Sequence, residues 1–240
     1  MRKILIVVVA FFVSVSLNAQ VFLIDDFTLS ATEGAYGIYA DIDCDGSNVF
    51  YFDMHAPNDQ QHVQMKLWGN YMEGFVQSLQ SARLEYEKWT KIAQENNVTS
   101  LSKEINVPFS DKVMYFTENG KWYEEKGVDL KCKFMVSPDG SCYMVLQSDY
   151  MTSDEVVAHG YSIGNAYNAK SGRWSMAFAS STASITRYCS GASLTFSSTE
   201  EIDSFIQKLY DAQQWKKRNK EQGELFKDEI VIPFGGGRKK

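Results

Sequence analysis

The chain lacks most of what chemistry at an active site requires. It has no H-E-x-x-H pair and no glycine-rich phosphate loop between a strand and a helix, which removes the zinc-protease and nucleotide-binding templates. Histidine is scarce, with only His55, His62 and His159, and no C-x-x-C occurs, so a zinc site has no paired ligand set. Basic residues form no patch before residue 216 and the formal charge is -6, which argues against nucleic acid as a partner. The adjacent carboxylates Asp25-Asp26 and Glu124-Glu125 point to opposite faces if they lie in strands, so neither pair is a dyad. No catalytic residue is assigned. Disorder is excluded too, because aromatic residues make up 14% of the chain.

What is present begins with a leader. Arg2-Lys3 precedes an unbroken apolar run from Ile4 to Val13, followed by smaller and more polar residues up to Ala19. That is the pattern of a Sec-type signal peptide over residues 1–19, too short for the roughly 20 residues of a spanning helix. Cleavage after Ala19 leaves 221 residues with a formal charge of -8 and no membrane span, in a periplasmic or secreted compartment.

Two stretches resemble each other. Phe75-Val76-Gln77-Ser78-Leu79-Gln80-Ser81-Ala82 returns, altered, as Phe205-Ile206-Gln207-Lys208-Leu209-Tyr210-Asp211-Ala212. Around the first, Met72, Phe75, Leu79, Ala82, Tyr86, Trp89 and Ala93 recur at helical spacing, with Val76 and Ile92 widening the stripe. Asn70 with Glu73 reads as the start of that helix, and Ser197 or Ser198 with Glu200 or Glu201 as the start of the second. Each helix is followed by Glu-Ile-x-(Val/Ile)-Pro-Phe, at Glu104–Phe109 and Glu229–Phe234. These echoes suggest an internal duplication of a β-hairpin/helix/strand unit, in halves 20–109 and 110–234, with a flexible basic tail over 235–240.

Short runs of β-branched and aromatic residues between Gly, Asn, Asp and Pro read as strands through most of the remainder. The expected fold class is therefore α+β, with antiparallel sheets and two principal helices. Residues 152–190 have no counterpart in the first half and are rich in Gly, Ala and Ser. They read either as a plain pair of extra strands, with Trp174 to Phe178 in one of them, or as an insertion of the kind where binding surfaces tend to sit, with Tyr161, Tyr167 and Trp174 as its candidate contact residues. Trp68, Trp122 and, as the alternative to a contact role, Trp174 read as core.

Four cysteines, Cys44, Cys132, Cys142 and Cys189, are an even number for an oxidising compartment and suggest two disulfides. A hairpin turn over 137–140 places Cys142 on the opposite face from Cys132. Longer-range pairs, Cys44 with Cys142 or Cys189, are then favoured. The run Asp41-Ile42-Asp43-Cys44-Asp45-Gly46 resembles the D-x-D-x-D-G opening of EF-hand calcium loops, which makes Asp41, Asp43 and Asp45 the candidate calcium ligands. It departs from that loop at the twelfth position, where Phe52 replaces the bidentate Glu. The functional expectation is an exported, non-catalytic binding or assembly module for a protein or glycan ligand. An envelope hydrolase with carboxylates distant in sequence and a calcium-dependent structural protein are the alternatives.

Overall fold

The computed structural model describes residues 21–41, 48–58, 60–109, 112–168 and 170–225. The leader, residues 42–47 of the acidic loop, and the second Glu-Ile-x-Ile-Pro-Phe echo lie outside them. The fold is α+β, built from antiparallel sheets and two long helices.

The larger sheet has six strands: β1 (Val21–Leu29), β2 (Gly34–Asp41), β3 (Val49–Met54), β4 (Val63–Trp68), β6 (Lys112–Glu118) and β7 (Lys121–Lys126), in the order β1-β2-β3-β4-β6-β7. Side chains alternate across a strand, and β4 shows the result, burying Val63, Met65 and Leu67 while Gln64, Lys66 and Trp68 stay half-exposed. Helix α1 (Gly69–Glu95) starts directly off β4. The second sheet is β12 (Ser193–Phe196), β9 (Cys142–Ser148), β8 (Leu130–Val136) and β5 (Leu101–Ile105), in that order, and helix α2 (Thr199–Leu225) follows β12. Three antiparallel strands lead into a helix twice, as β2-β3-β4-α1 and as β8-β9-β12-α2. The remaining strands, β10 (Met151–Asn168) and β11 (Arg173–Cys189), pair only with each other among the described residues.

One hydrophobic core runs through both sheets and both helices. On α1 it takes Met72, Phe75, Val76, Leu79, Ala82, Tyr86 and Ala93, as the helical spacing implies. Ile92 does not join it and is exposed. Phe205 of α2 is fully buried and lies where the sheets meet, with its ring 4.6 Å from Phe27, 5.7 Å from Phe196 and 6.3 Å from Phe52. A backbone bridge between His55 and Ser193 joins the same two sheets.

The helix starts differ in how far they follow the expected caps. At α2 the N-cap Ser198 hydroxyl accepts from the Glu201 amide at 3.2 Å, half of a capping box, while Glu201 reaches past the N-cap and accepts from the Ser197 amide at 2.8 Å. Glu201 also accepts from the Ser30 amide, at 2.9 Å, and from its hydroxyl, which ties α2 to the end of β1. Burial works to raise the Glu201 pKa, but the donors from Ser30 and Ser197 outweigh it and lower it. At α1 the expected Asn70 cap is replaced by Trp68, without a side-chain cap. The Gly69 amide donates instead to the Asn48 carbonyl at 2.6 Å, and a Cβ at Gly69 would stand 1.9 Å from Nδ2 of the exposed Asn48 side chain, which would have to swing away. Beyond Trp215, Lys216 folds back, with its ammonium 5.4 Å from the Phe50 ring.

The cysteine expectation is corrected. The β8–β9 turn is one residue longer than a 137–140 turn, so Val136 pairs with Cys142 and Cys132 with Leu146. A one-residue change in register moves a side chain to the other face, and Cys142 joins Cys132 on the buried one. The two are separated by four residues along the strands, about 13 Å at roughly 3.3 Å per residue, well beyond disulfide reach of about 7 Å. Cys132, Cys142 and Cys189 are buried free thiols, and no disulfide occurs among the described residues. Burial pushes the Cys132 thiol up to about 12 and raises those of Cys142 and Cys189 as well, which makes them inert packing residues. Cys44 lies outside the described residues.

The position of Phe205 between the sheets sets a clear expectation. Phe205→Ala should cost about 3–5 kcal/mol, whereas Leu84→Ala, at a residue 63% exposed, should stay within about 0.5 kcal/mol. Urea unfolding of both variants measures the contrast, and equal losses would show that the sheets are not held together at Phe205.

Candidate functional site

The most distinctive element is the ribbon β10–β11. It joins β9 to β12 and carries seventeen paired positions, six below a bulge at Val157 and eleven beyond it. Its base sits against the second sheet. There Met151 and Cys189 are opposite each other and fully buried, and the Ser148 amide donates to the Ala192 carbonyl at 2.9 Å. Gly191 makes the return turn at φ +110°, where a Cβ would meet the Ser148 carbonyl at 2.9 Å. Above the base, residues 156–160 and 180–186 are all exposed.

Glu155 fixes the direction of the ribbon. Its carboxylate accepts from Lys121 Nζ at 3.0 Å, Tyr123 Oη at 3.0 Å, and Arg187 Nε and Nη2 at 2.9 and 2.8 Å. Lys121 and Tyr123 belong to β7, so the ribbon that grows from one sheet is clamped to the end of the other. Glu125 adds a bond from the Thr152 amide at 3.3 Å, Gln61 donates to the Tyr188 carbonyl at 3.0 Å, and Arg187 lies 3.7 Å from Glu118. Hydrogen bonds from Lys121, then Arg187 and Tyr123, lower the Glu155 pKa to about 2.

The contact residues expected from sequence fall in the upper part of the ribbon. Tyr167 is paired with Trp174, and Tyr161, six residues before Tyr167, has the same strand parity. His159 is exposed and paired with Thr182. Of the calcium candidates, Asp41 ends β2 and is buried, and Asp43 and Asp45 lie outside the described residues. Among the described residues no cluster of His, Cys, Asp and Glu could hold a metal ion.

A second surface was misread from the sequence. Trp68 and Trp122 are not core residues but lie half-buried on the outer face of the six-stranded sheet, which they share with Tyr39, Tyr51 and Tyr115. The polar groups of this face are engaged with one another. Asp53 accepts from Tyr39 Oη at 3.0 Å, the Gly37 amide at 2.9 Å and Gln64 Nε2 at 2.9 Å, and Glu124 accepts from Tyr115 Oη at 2.7 Å. The Lys66 ammonium stands 5.0 Å from the Trp68 ring, 5.9 Å from Tyr115 and 6.0 Å from Tyr51. Burial, followed by the charges of Asp41 and Glu124, pushes the Tyr51 phenol up to about 12, and burial also raises Tyr39 and Tyr115. The signal was available in the alternation of Phe50, Phe52, Met65 and Leu67 with Tyr51, Asp53, Lys66 and Trp68.

One catalytic spelling escaped the sequence reading. Gly160-Tyr161-Ser162-Ile163-Gly164 matches G-x-S-x-G. A nucleophile elbow needs a sharp strand-to-helix turn, and these five residues instead run straight through β10, with Ser162 paired to Ala179. The spelling is therefore part of a strand.

Compared with protein-family models, curated proteins and solved structures, the chain matches none.

The clamp has a pH signature. A carboxyl whose pKa is lowered in the folded state stabilises fully above its unfolded pKa and loses that contribution as pH falls through the folded value. The contribution of Glu155 should therefore be complete above about pH 4.5 and vanish towards pH 2. The melting temperature of the wild type should fall more steeply across that window than that of Glu155→Gln. Parallel profiles would mean that Glu155 does not hold the ribbon.

Proposed function

We propose that this chain is an exported, non-catalytic binding or assembly module whose working part is the ribbon β10–β11. The observation that carries this reading is that seventeen antiparallel pairs stand with neither outer edge taken by a third strand among the described residues. An edge strand presents a row of backbone donors and acceptors and is a ready template for another strand. The clamp at Glu155 supports the same reading, because it makes the ribbon a directed arm rather than a loose loop.

Other features favour binding over catalysis. The best-organised carboxylates, Glu155, Asp53 and Glu201, are each committed to several internal donors. The described thiols are buried with raised pKa values. The repeated order of three strands and a helix supports a diverged duplication in which the ribbon is an insertion into the second copy, between β9 and β12. Export rests on the leader over residues 1–19. A glycan ligand has one feature in its favour, the aromatic outer face bearing Trp68 and Trp122, although its rings already surround Lys66.

Replacing residues 157–183 by Asn-Gly tests the reading. This joins Val156 to Ser184, which are already paired, through a two-residue hairpin turn, and leaves Glu155, Thr186 and Arg187 in place. The shortened protein should keep the melting temperature of the full chain and lose its self-association and its retention on isolated envelopes, both measured by sedimentation. Association undiminished in the shortened protein would move the binding surface to the body.

A further inference from the structure

We propose that the upper eleven pairs of the ribbon form a membrane-inserting β-hairpin, which enters a lipid bilayer when copies of the chain align their ribbons edge to edge. This rests on the reading of the ribbon as the working part and names its partner.

Length is the first argument. The two strand segments beyond the bulge, residues 158–168 and 173–183, are eleven residues each. At about 3.3 Å per residue they are about 36 Å long, and tilted by about 40°, as strands of membrane barrels are, they cover about 28 Å. The hydrocarbon core of a bilayer is about 30 Å thick, and a spanning strand needs about 9–11 residues. Among the described residues no helix is long and apolar enough to cross a membrane, but strands are a separate route.

Charge is the second. No Asp, Glu, Lys or Arg occurs in residues 156–168 or 174–186, in a chain that is 22% charged. Charges resume at the two ends of the uncharged stretch, with Lys170 and Arg173 at the tip and Asp154, Glu155 and Arg187 at the base. A charged residue facing lipid at mid-depth is strongly unfavourable, and one at the interface is tolerated.

The third is alternation. By register, Ile163 is paired with Phe178 and Tyr167 with Trp174, and Met176 has the parity of both. The opposite parity carries only Ala, Gly and Ser from the pair Ala158–Ala183 to the pair Ala166–Ser175. The parity of Ile163 also carries His159 paired with Thr182 and Tyr161 paired with Ser180 at the base end of the span, so the large apolar residues alternate with small ones from Ile163 to the tip. That is the pattern of a strand with one face to lipid and one to a lumen, and an aromatic pair next to the tip cations fits an interfacial girdle. Asn165, paired with Met176, is the one amide at the apolar positions between Ile163 and Tyr167. The unpaired edges set the stoichiometry. A single hairpin cannot bury two rows of unsatisfied backbone groups in hydrocarbon, so insertion requires neighbouring copies to close a barrel.

The test uses the full chain, exported with its own leader, and vesicles of phosphatidylcholine and phosphatidylglycerol loaded with a self-quenching dye. The chain should float with the vesicles and release dye more steeply than in proportion to its concentration. Ile163→Lys and Phe178→Lys place a cation at mid-span and should each lower release by about thirty-fold or more, without changing the melting temperature. Ala179→Ser, on the small-residue side, should release as the wild type does. A full chain that neither floats nor releases dye overturns the membrane proposal. If it then still self-associates through its ribbon, the assembly reading stands with a second copy as the partner. If the shortened protein floats and releases dye as well as the full chain, both readings fail.

Discussion

Every backbone N–H and C=O in a strand has to be paired, covered or left to water, and the distribution of strand edges in this chain follows from that requirement. The two sheets are joined by a single backbone bridge between His55, just after β3, and Ser193, at the start of β12. The outer face of the larger sheet carries its own polar network, so its half-exposed rings and carboxylates are satisfied without a partner. Among the described residues β1, β7 and β5 also end their sheets with an unpaired outer edge, but they are 9, 6 and 5 residues long, against 18 and 17 in the two strands of the ribbon. The longest open edges of the molecule therefore lie in one element, the ribbon.

Two anchors of different kinds make that element usable. The aromatic cluster around Phe205 joins the sheets through apolar contact, with α2 latched to β1 through Glu201 and Ser30. Glu155 then sets the ribbon against β7 by charge and hydrogen bonding. The core fixes where the ribbon starts, and the clamp fixes which way it leaves. Because the clamp lies at the surface, its strength responds to pH and salt more than the core does.

How much of this could be read from the sequence depended on how strongly each element carries its own period. The 3.6-residue stripe from Met72 to Ala93 located α1 to within a residue, since a long amphipathic helix repeats its signal many times. Its cap was misread because β4 runs into the helix without a loop, leaving Asn70 inside it. The face of Cys142 was lost to a single extra turn residue, which the period of two turns into a complete inversion. Trp68 and Trp122 were assigned by size to the core although alternation places them outside. The ribbon was legible as an insertion or a plain pair of extra strands, but not its length of 18 and 17 residues, because Gly, Ala and Ser have weak strand propensity and hide the large-small alternation. Tyr161, Tyr167 and Trp174 were chosen as exposed aromatics in a small-residue context. That they share one strand parity required the register.

The most direct measurement is residue-resolved hydrogen exchange of the isolated, unassembled chain over residues 158–168 and 173–183. In a two-stranded antiparallel ribbon, alternate amides bond across the pair and the others face outward. The expected result is alternation, with cross-strand amides slowed and outward amides exchanging as in an unfolded peptide, while residues 151–155 and 187–189 at the clamped base are slower still. Uniform protection along both strands would mean that the edges are already covered. Uniformly fast exchange would mean that no ribbon forms before assembly. Either result would contradict an arm held open for a partner.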